Sequence, residues 1–233
     1  MTQPILLVPG LNATARVFAE LVPALWPAGP VMVANHTQGE GMAGIAAQIL
    51  AAAPPRFGLL GFSMGGYLAF EMLRQAPERV LRLCLLDTSA RPDTPEASAR
   101  RRARIGMAAA GRFGETIEEG FEMTVHPDHL ERHDLRAVSR QMALETGATV
   151  FIGQQEAIIG RPDSRPLLAG IAVPTSVIVG DADQITPLEV AQEMAAAIPG
   201  AGLTVIARAG HMAIIEQPEA TIAAIADWAG AGR

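Results

Sequence analysis

The sequence predicts an α/β protein, with a mostly parallel central sheet, helices on both faces and an inserted helical region. Three observations predict it. Short, continuously apolar runs recur along the chain. Segments with helical spacing separate them, and strands that alternate with helices pair in parallel through right-handed crossovers; the unbroken apolar character is what strands buried on both faces require. From Thr88 to about Ile171 the alternation stops and the composition turns to Arg, Glu, Ala, Met and His in helical patterning. The expected organisation is a sheet core formed by residues 1–87 and 172–233, interrupted by a helical cap insertion at residues 88–171.

Taken in order, residues 5–8 form a first strand ended by Pro9-Gly10, and residues 15–25 carry helical spacing up to the Trp26-Pro27-Ala28-Gly29-Pro30 break. Residues 31–34 read as a second strand. Residues 42–53 form an Ala/Ile/Leu helix stopped by Pro54-Pro55, followed by an apolar strand through Phe62, a helix to Ala76 and a strand over 80–86. Beyond the insert come a strand over 175–179, a proline-opened helix over 187–198, a last strand over 203–206 and a closing helix over 214–229. No internal repeat or low-complexity tract is present, so a solenoid or a disordered chain is not expected.

Composition narrows the function. A chain of 233 residues buries roughly 70% of its unfolded surface and needs no covalent staples. The single cysteine, Cys84, sits inside an apolar run and reads as a small core hydrophobe. The 18 basic residues are all arginine, which excludes Schiff-base chemistry and a phosphate-binding P-loop, both of which need lysine. A net charge of −6 argues against nucleic acid as a partner. The cluster Arg100-Arg101-Arg102-x-Arg104 reads as a solvated helix face, with anion binding as its alternative. The N-terminus has no cationic leader and no segment holds eighteen uninterrupted apolar residues, so no membrane association and a soluble, cytoplasmic protein are expected.

The chemistry centres on Gly61-Phe62-Ser63-Met64-Gly65-Gly66, where an apolar strand breaks into Gly-x-Ser-x-Gly and continues as a helix. This pattern is a nucleophile elbow: the strained turn pushes a serine hydroxyl clear of the sheet, and the flanking glycines remove Cβ atoms that would clash. A serine hydroxyl needs a base and a group to orient that base. His211 follows the final strand, at the sheet edge where parallel α/β folds gather their ligand-facing loops, and is the expected base. For the acid, Asp183 lies on the loop after the preceding strand with room to turn toward His211; Asp181 reads more simply as a turn residue, and Asp87, ending the strand after the elbow, is a further alternative. The backbone N–H groups of Met64, at the start of the elbow helix, and Leu11, just after the first strand, are the expected oxyanion donors, with the Asn12 side chain a weaker addition.

The order Ser63, Asp183, His211, with the elbow, Gly180-x-x-Asp183-x-x-x-Pro187, and Gly210-His211 followed by Glu216-x-Pro218, closely resembles the α/β-hydrolase fold superfamily, in its serine-nucleophile, cap-bearing branch. The resemblance implies a helical cap between the sixth and seventh strands of the family, no cofactor, no metal and an acyl-enzyme mechanism. It also implies that the first strand here corresponds to the family's third, and that Pro9-Gly10 replaces a common His-Gly, weakening the anchorage of the oxyanion loop. The expected activity is hydrolysis of a small or medium carboxylic ester or thioester, with a lactonase or C–C bond hydrolase as the alternative and a non-catalytic small-molecule binding protein as the different class.

Other polar clusters carry less. His126, His129 and His133 read as part of an exposed cap helix opened by Pro127-Asp128 rather than as a metal site, and His36 as a loop histidine, with lining of the pocket mouth as its alternative. Gln154-Gln155, Arg161 and Arg165 suggest an arginine–aspartate hinge, a substrate-carboxylate clamp being the sharper alternative. Met107, Phe113, Phe121 and Met123 are assigned to an acyl-binding wall or to packing within the cap.

Overall fold

The computed structural model describes residues 3–230. Its elements run β1 (Ile5–Val8), α1 (Leu21–Leu25), β2 (Val31–Val33), α2 (Gly41–Ala52), β3 (Phe57–Phe62), α3 (Met64–Gln75) and β4 (Val80–Leu86). Five helices follow: α4 (Pro95–Ala109), α5 (Phe113–Thr124), α6 (His133–Thr146), α7 (Ala148–Ile159) and α8 (Arg165–Leu168). The chain then returns through β5 (Thr175–Gly180), α9 (Leu188–Ala197), β6 (Gly202–Ile206), α10 (Ala213–Glu216) and α11 (Pro218–Ala229).

The six strands form one sheet in the order β2-β1-β3-β4-β5-β6, parallel at every pairing. Side chains alternate between two separate cores. Leu6, Val8, Leu59, Leu83, Leu85, Val177 and Val179 pack against α2, α3 and α9. Their strand neighbours Ile5, Leu7, Leu60, Cys84, Leu86 and Ile178 pack against α1 and α11. This two-sided burial is why the strands read as unbroken apolar runs. Burial and the nearby Asp87 push the Cys84 thiol pKa up, which leaves it an inert hydrophobe. β6 departs from the pattern: it is an edge strand, and Leu203 and Val205 are exposed.

Two expected helices are broken, both by proline. Residues 15–25 divide into a single 3₁₀ turn, Ala15–Phe18, and α1, because Pro23 lacks an N–H and its ring crowds the carbonyl four residues back. Residues 214–229 divide at Gln217 for the same reason, with Pro218 opening α11. No described helix is long and apolar enough to cross a membrane.

The connection from β1 goes outward to β2 and the chain then crosses back to β3, so the order reverses between β1 and β3. Open parallel sheets form their binding crevice at such a reversal, beyond the carboxyl ends of the strands. The loops after β1, β3, β5 and β6 all open there, and the helices between β4 and β5 cover them.

Candidate active site

Ser63 follows β3 with φ 52° and ψ −115°, a conformation that a non-glycine residue adopts only under constraint from its surroundings. The constraints are visible. Its N–H donates to the Leu86 carbonyl (2.9 Å), and its own carbonyl accepts from Gly66 N–H (2.8 Å) and Thr88 Oγ1 (2.8 Å). The turn also brings α3 against the end of β1: a Cβ on Gly65 would lie 2.0 Å from the Val8 carbonyl oxygen, and one on Gly61 would lie 2.4 Å from that of Gly65. Glycine is therefore required at both flanks of the serine for want of space.

His211 Nε2 lies 2.7 Å from Ser63 Oγ, and His211 Nδ1 lies 2.9 Å from Asp183 Oδ2. Asp183 is buried and its carboxylate accepts every donor around it: Ile185 N–H (2.8 Å) and Thr186 N–H (2.9 Å) on Oδ1, Thr186 Oγ1–H (2.7 Å) and the imidazole on Oδ2. Burial disfavours the charge, but His211 and these donors outweigh it, so the carboxyl titrates below the usual carboxylate range. An ionised Asp183 accepts only, which fixes the proton on Nδ1 and leaves Nε2 as an acceptor facing Ser63 Oγ.

The other two aspartates weighed for this position hold different places. Asp181 accepts from the N–H groups of Arg208 (3.0 Å) and Ala209 (3.1 Å), joining the loop after β5 to the loop after β6. Asp87 is completely buried, and its Oδ1 accepts from Gly180 N–H (2.9 Å). Burial, then the Asp183 charge, push its pKa well above the usual carboxylate range, so the fold favours its protonated form. Between the ordinary carboxyl value, about 3.9, and the raised native value, the folded state holds one proton more than the unfolded, so this group makes stability fall as pH rises. Asp87→Asn, which mimics the protonated acid, is expected to remove that slope, up to about 1.4 kcal/mol per pH unit, while turnover stays within a few fold. Thermal melts of both proteins from pH 5 to pH 8 would check this; parallel curves would contradict it.

Met64, as the first residue of α3, presents an N–H with no intrahelical acceptor, at the positive end of the helix. Leu11 lines the same cavity as Ser63, and its N–H meets no acceptor among the described residues. The loop carrying Leu11 is anchored by residues that no local sequence pattern assigns to it. His36, buried beneath the loop and not at the cavity mouth, donates its Nε2–H to the Gly10 carbonyl (2.8 Å). Burial lowers its pKa against the pull of that carbonyl, so it acts as a neutral tether. Gln154 of α7 accepts from Asn12 N–H (3.3 Å) and donates to the His36 carbonyl (3.4 Å). These bonds supply anchorage where Pro9-Gly10 stands.

The expectation of an exposed histidine-bearing helix at 126–133 is not met. Pro127–His129 is a single 3₁₀ turn, and His129 is buried with its Nδ1 2.8 Å from Glu216 Oε2. The same carboxylate accepts from His126 N–H (2.6 Å) and from Gly210 N–H (2.8 Å), and Met212 N–H donates to the Thr124 carbonyl (3.0 Å). Glu216 thus ties the loop that carries His211 to the end of α5. In the sequence Glu216 is visible only as part of a motif, because its partners His126 and His129, between β4 and β5, lie 90 and 87 positions away. His133 opens α6, and no group of three or more metal-ligating side chains is gathered among the described residues.

Ser63 and His211 open into a cavity of about 650 Å³. Met107, Phe121, Met123, Met142 and Phe151 contribute apolar wall, whereas Phe113 packs against Phe151 with ring centroids 5.2 Å apart and stays outside the lining. Arg165 pairs with Asp163 at the surface and does not reach the cavity. Arg161 does, stacked 4.3 Å above Tyr67 and paired with Asp93. The arginine cluster divides: Arg102 faces solvent, while Arg100, Arg101 and Arg104 line the cavity, so a solvated face describes only part of it.

A parallel sheet with a strained serine elbow and a histidine at the end of the last strand is the arrangement of a hydrolase, and residues 42–218 match the α/β hydrolase fold family; the chain belongs to it. It is similar to pimeloyl-[acyl-carrier protein] methyl ester esterases from Aliivibrio salmonicida (29% identical, over 74% of this chain and 68% of the relative) and Neisseria meningitidis (26%, over 97% and 92%). Among solved structures, a thermophilic esterase from Thermogutta terrifontis superposes with a TM-score of 0.88 at 31% identity, covering 97% of this chain and 89% of that one. The enol-lactonase of Burkholderia xenovorans LB400 has the same fold, with a TM-score of 0.87 at 24% identity over 98% and 91% of the two chains.

Proposed function

We propose that the protein is a cofactor-independent serine hydrolase that cleaves carboxylic esters through an acyl-enzyme. The observation that carries this reading is the continuous hydrogen-bonded line from Ser63 Oγ through His211 to Asp183, opening into a mostly apolar cavity. Ester-cleaving relatives that span most of the chain support it. Ser63 Oγ attacks the ester carbonyl as His211 Nε2 takes its proton, and Asp183 stabilises the imidazolium. The N–H groups of Leu11 and Met64 receive the developing oxyanion. Collapse expels the alcohol, which leaves with the proton from His211; water then attacks the acyl-serine by the same route and releases the acid. Residues 88–171 serve as a cap, because α4 to α7 wall the cavity opposite Ser63 and set which acyl groups fit.

The test is a panel of p-nitrophenyl esters of increasing chain length, run beside Ser63→Ala and fluorophosphonate labelling. The native protein is expected to turn over short and medium esters and to label once, at Ser63. Ser63→Ala is expected to lose both label and turnover, the latter by about a millionfold. A silent panel with no label at Ser63 would refute the reading.

A further inference from the structure

The wall of the cavity contributed by α4 carries more positive charge than its surroundings neutralise. Ala97, Arg100, Arg101, Arg104 and Met107 recur at helical spacing on the face that lines the cavity, and Arg91 and Arg161 join them from flanking segments. Against these five arginines stand two lining carboxylates, Asp93 and Glu119. The accounting is uneven. Arg91 is matched by Glu193 outside the cavity (2.8 Å). Asp93 is shared between Arg101 (2.8 Å) and Arg161, and Arg101 also donates to Gln155 Oε1 (2.8 Å), so one carboxylate serves two guanidinium groups.

Arg100 and Arg104 make no hydrogen bond or ion pair with any described residue. Arg100 is exposed at the rim, but Arg104 is half-buried, and one of its terminal nitrogens lies 3.3 Å from the point where a Cβ on Gly120 would stand. Glycine at 120 therefore leaves room for the guanidinium to lie against α5 without supplying it a side-chain partner. Glu119, exposed on the same helix, is the one carboxylate that acts on Arg104, and it does so without contact. Burial lowers the Arg104 pKa, as expected where a charge is taken from water without a partner in exchange. A guanidinium presents a rigid fork of donors suited to an oxyanion, and an unmatched one lining the same cavity as the reacting serine is a charge that a substrate can satisfy.

We propose that Arg104, with Arg100 and the shared Arg101–Asp93–Arg161 cluster behind it, is a specificity-determining site for an anionic group, a carboxylate or a phosphate, carried by the ester substrate away from its scissile bond. This rests on the serine-hydrolase reading above. The anion fixes the far end of the substrate while the apolar wall holds the chain between it and Ser63.

The experiment compares p-nitrophenyl half-esters of dicarboxylic acids with neutral p-nitrophenyl alkanoates of matched length, and adds an ω-phosphonoalkanoate arm to separate carboxylate from phosphate. The native enzyme is expected to favour the anionic series in kcat/KM by about ten- to hundredfold, chiefly through KM, and added salt should erode the preference. Arg104→Met should collapse the ratio of anionic to neutral substrate toward one, Arg104→Lys should restore part of it, and Arg104→Glu should invert it. Equal turnover of both series by the native enzyme, or an unchanged ratio in a folded Arg104→Met variant, would overturn the anion site. The native salt dependence decides the matter if the variants fail to fold. Turnover of neutral esters without an anionic preference removes the site and leaves the hydrolase reading standing, whereas a silent panel without Ser63 labelling removes both.

Discussion

Asp183→Asn is expected to lower kcat by about four orders of magnitude with little change in fold. The carboxylate accepts four hydrogen bonds at once: two from backbone N–H groups, one from Thr186 Oγ1 and one from His211 Nδ1. A carboxamide has one accepting oxygen. The two backbone donors on Oδ1 would claim it, which turns the amide NH₂ toward His211 and forces the imidazole to carry its proton on Nε2, facing Ser63. A serine hydroxyl facing an N–H cannot be deprotonated by it. The native carboxyl also contributes stability, because its pKa is depressed; that contribution is complete above about pH 4 and is lost as the pH falls through the native value. Steady-state kinetics of Asp183→Asn, Asp181→Asn and Asp87→Asn side by side decide the assignment. A near-normal Asp183→Asn would transfer the role to one of the other two.

Gly65→Ala is expected to cost about 3 kcal/mol or more and to take turnover with it. The new Cβ would stand 2.0 Å from the Val8 carbonyl oxygen and 2.9 Å from that of Pro9, and both contacts are backbone, so no side chain can swing away to make room. Relief requires moving α3 away from β1, which shifts Met64 and Leu11, the two proposed oxyanion donors, relative to each other. The same substitution elsewhere should do the opposite. Gly153 lies inside α7, where an added methyl group would meet nothing within 4 Å, and Gly153→Ala is expected to raise stability by about 0.5–1 kcal/mol through helix propensity. Denaturant unfolding of the two variants checks both signs in one experiment; equal effects would show that the close approach at Gly65 is unimportant.

What is legible in the sequence depends on the range of the interactions involved. The parallel sheet is legible because burial on both faces imprints an unbroken apolar run on each strand, from Ile5–Val8 to Thr175–Gly180. The strand ends bearing Ser63, Asp183 and His211 are legible because a nucleophile elbow and two loops at one sheet edge leave local signatures, and the structure brings these side chains within hydrogen-bond distance. The prolines at 23 and 218 are visible too, but the apolar spacing around them masks their power to split a helix. Gln154 is beyond local reasoning: its bond to Asn12 joins residues 142 positions apart, and only the docking of α7 onto the β1 loop creates it. Arg104 is hidden for a similar reason. A row of arginines on one helix looks solvated until another helix is laid across it, and α5 does this at Gly120.

The Glu216 carboxylate has a mechanical meaning. It grips the backbone on both sides of a seam, Gly210 below and His126 above, and the seam is so tight that a Cβ on Gly210 would fall 2.5 Å from the Val125 carbonyl carbon. The rear edge of the roof is therefore riveted to the segment bearing the imidazole. A roof that swung open about that edge would drag His211 off Ser63 with each cycle and have to rebuild their alignment afterwards.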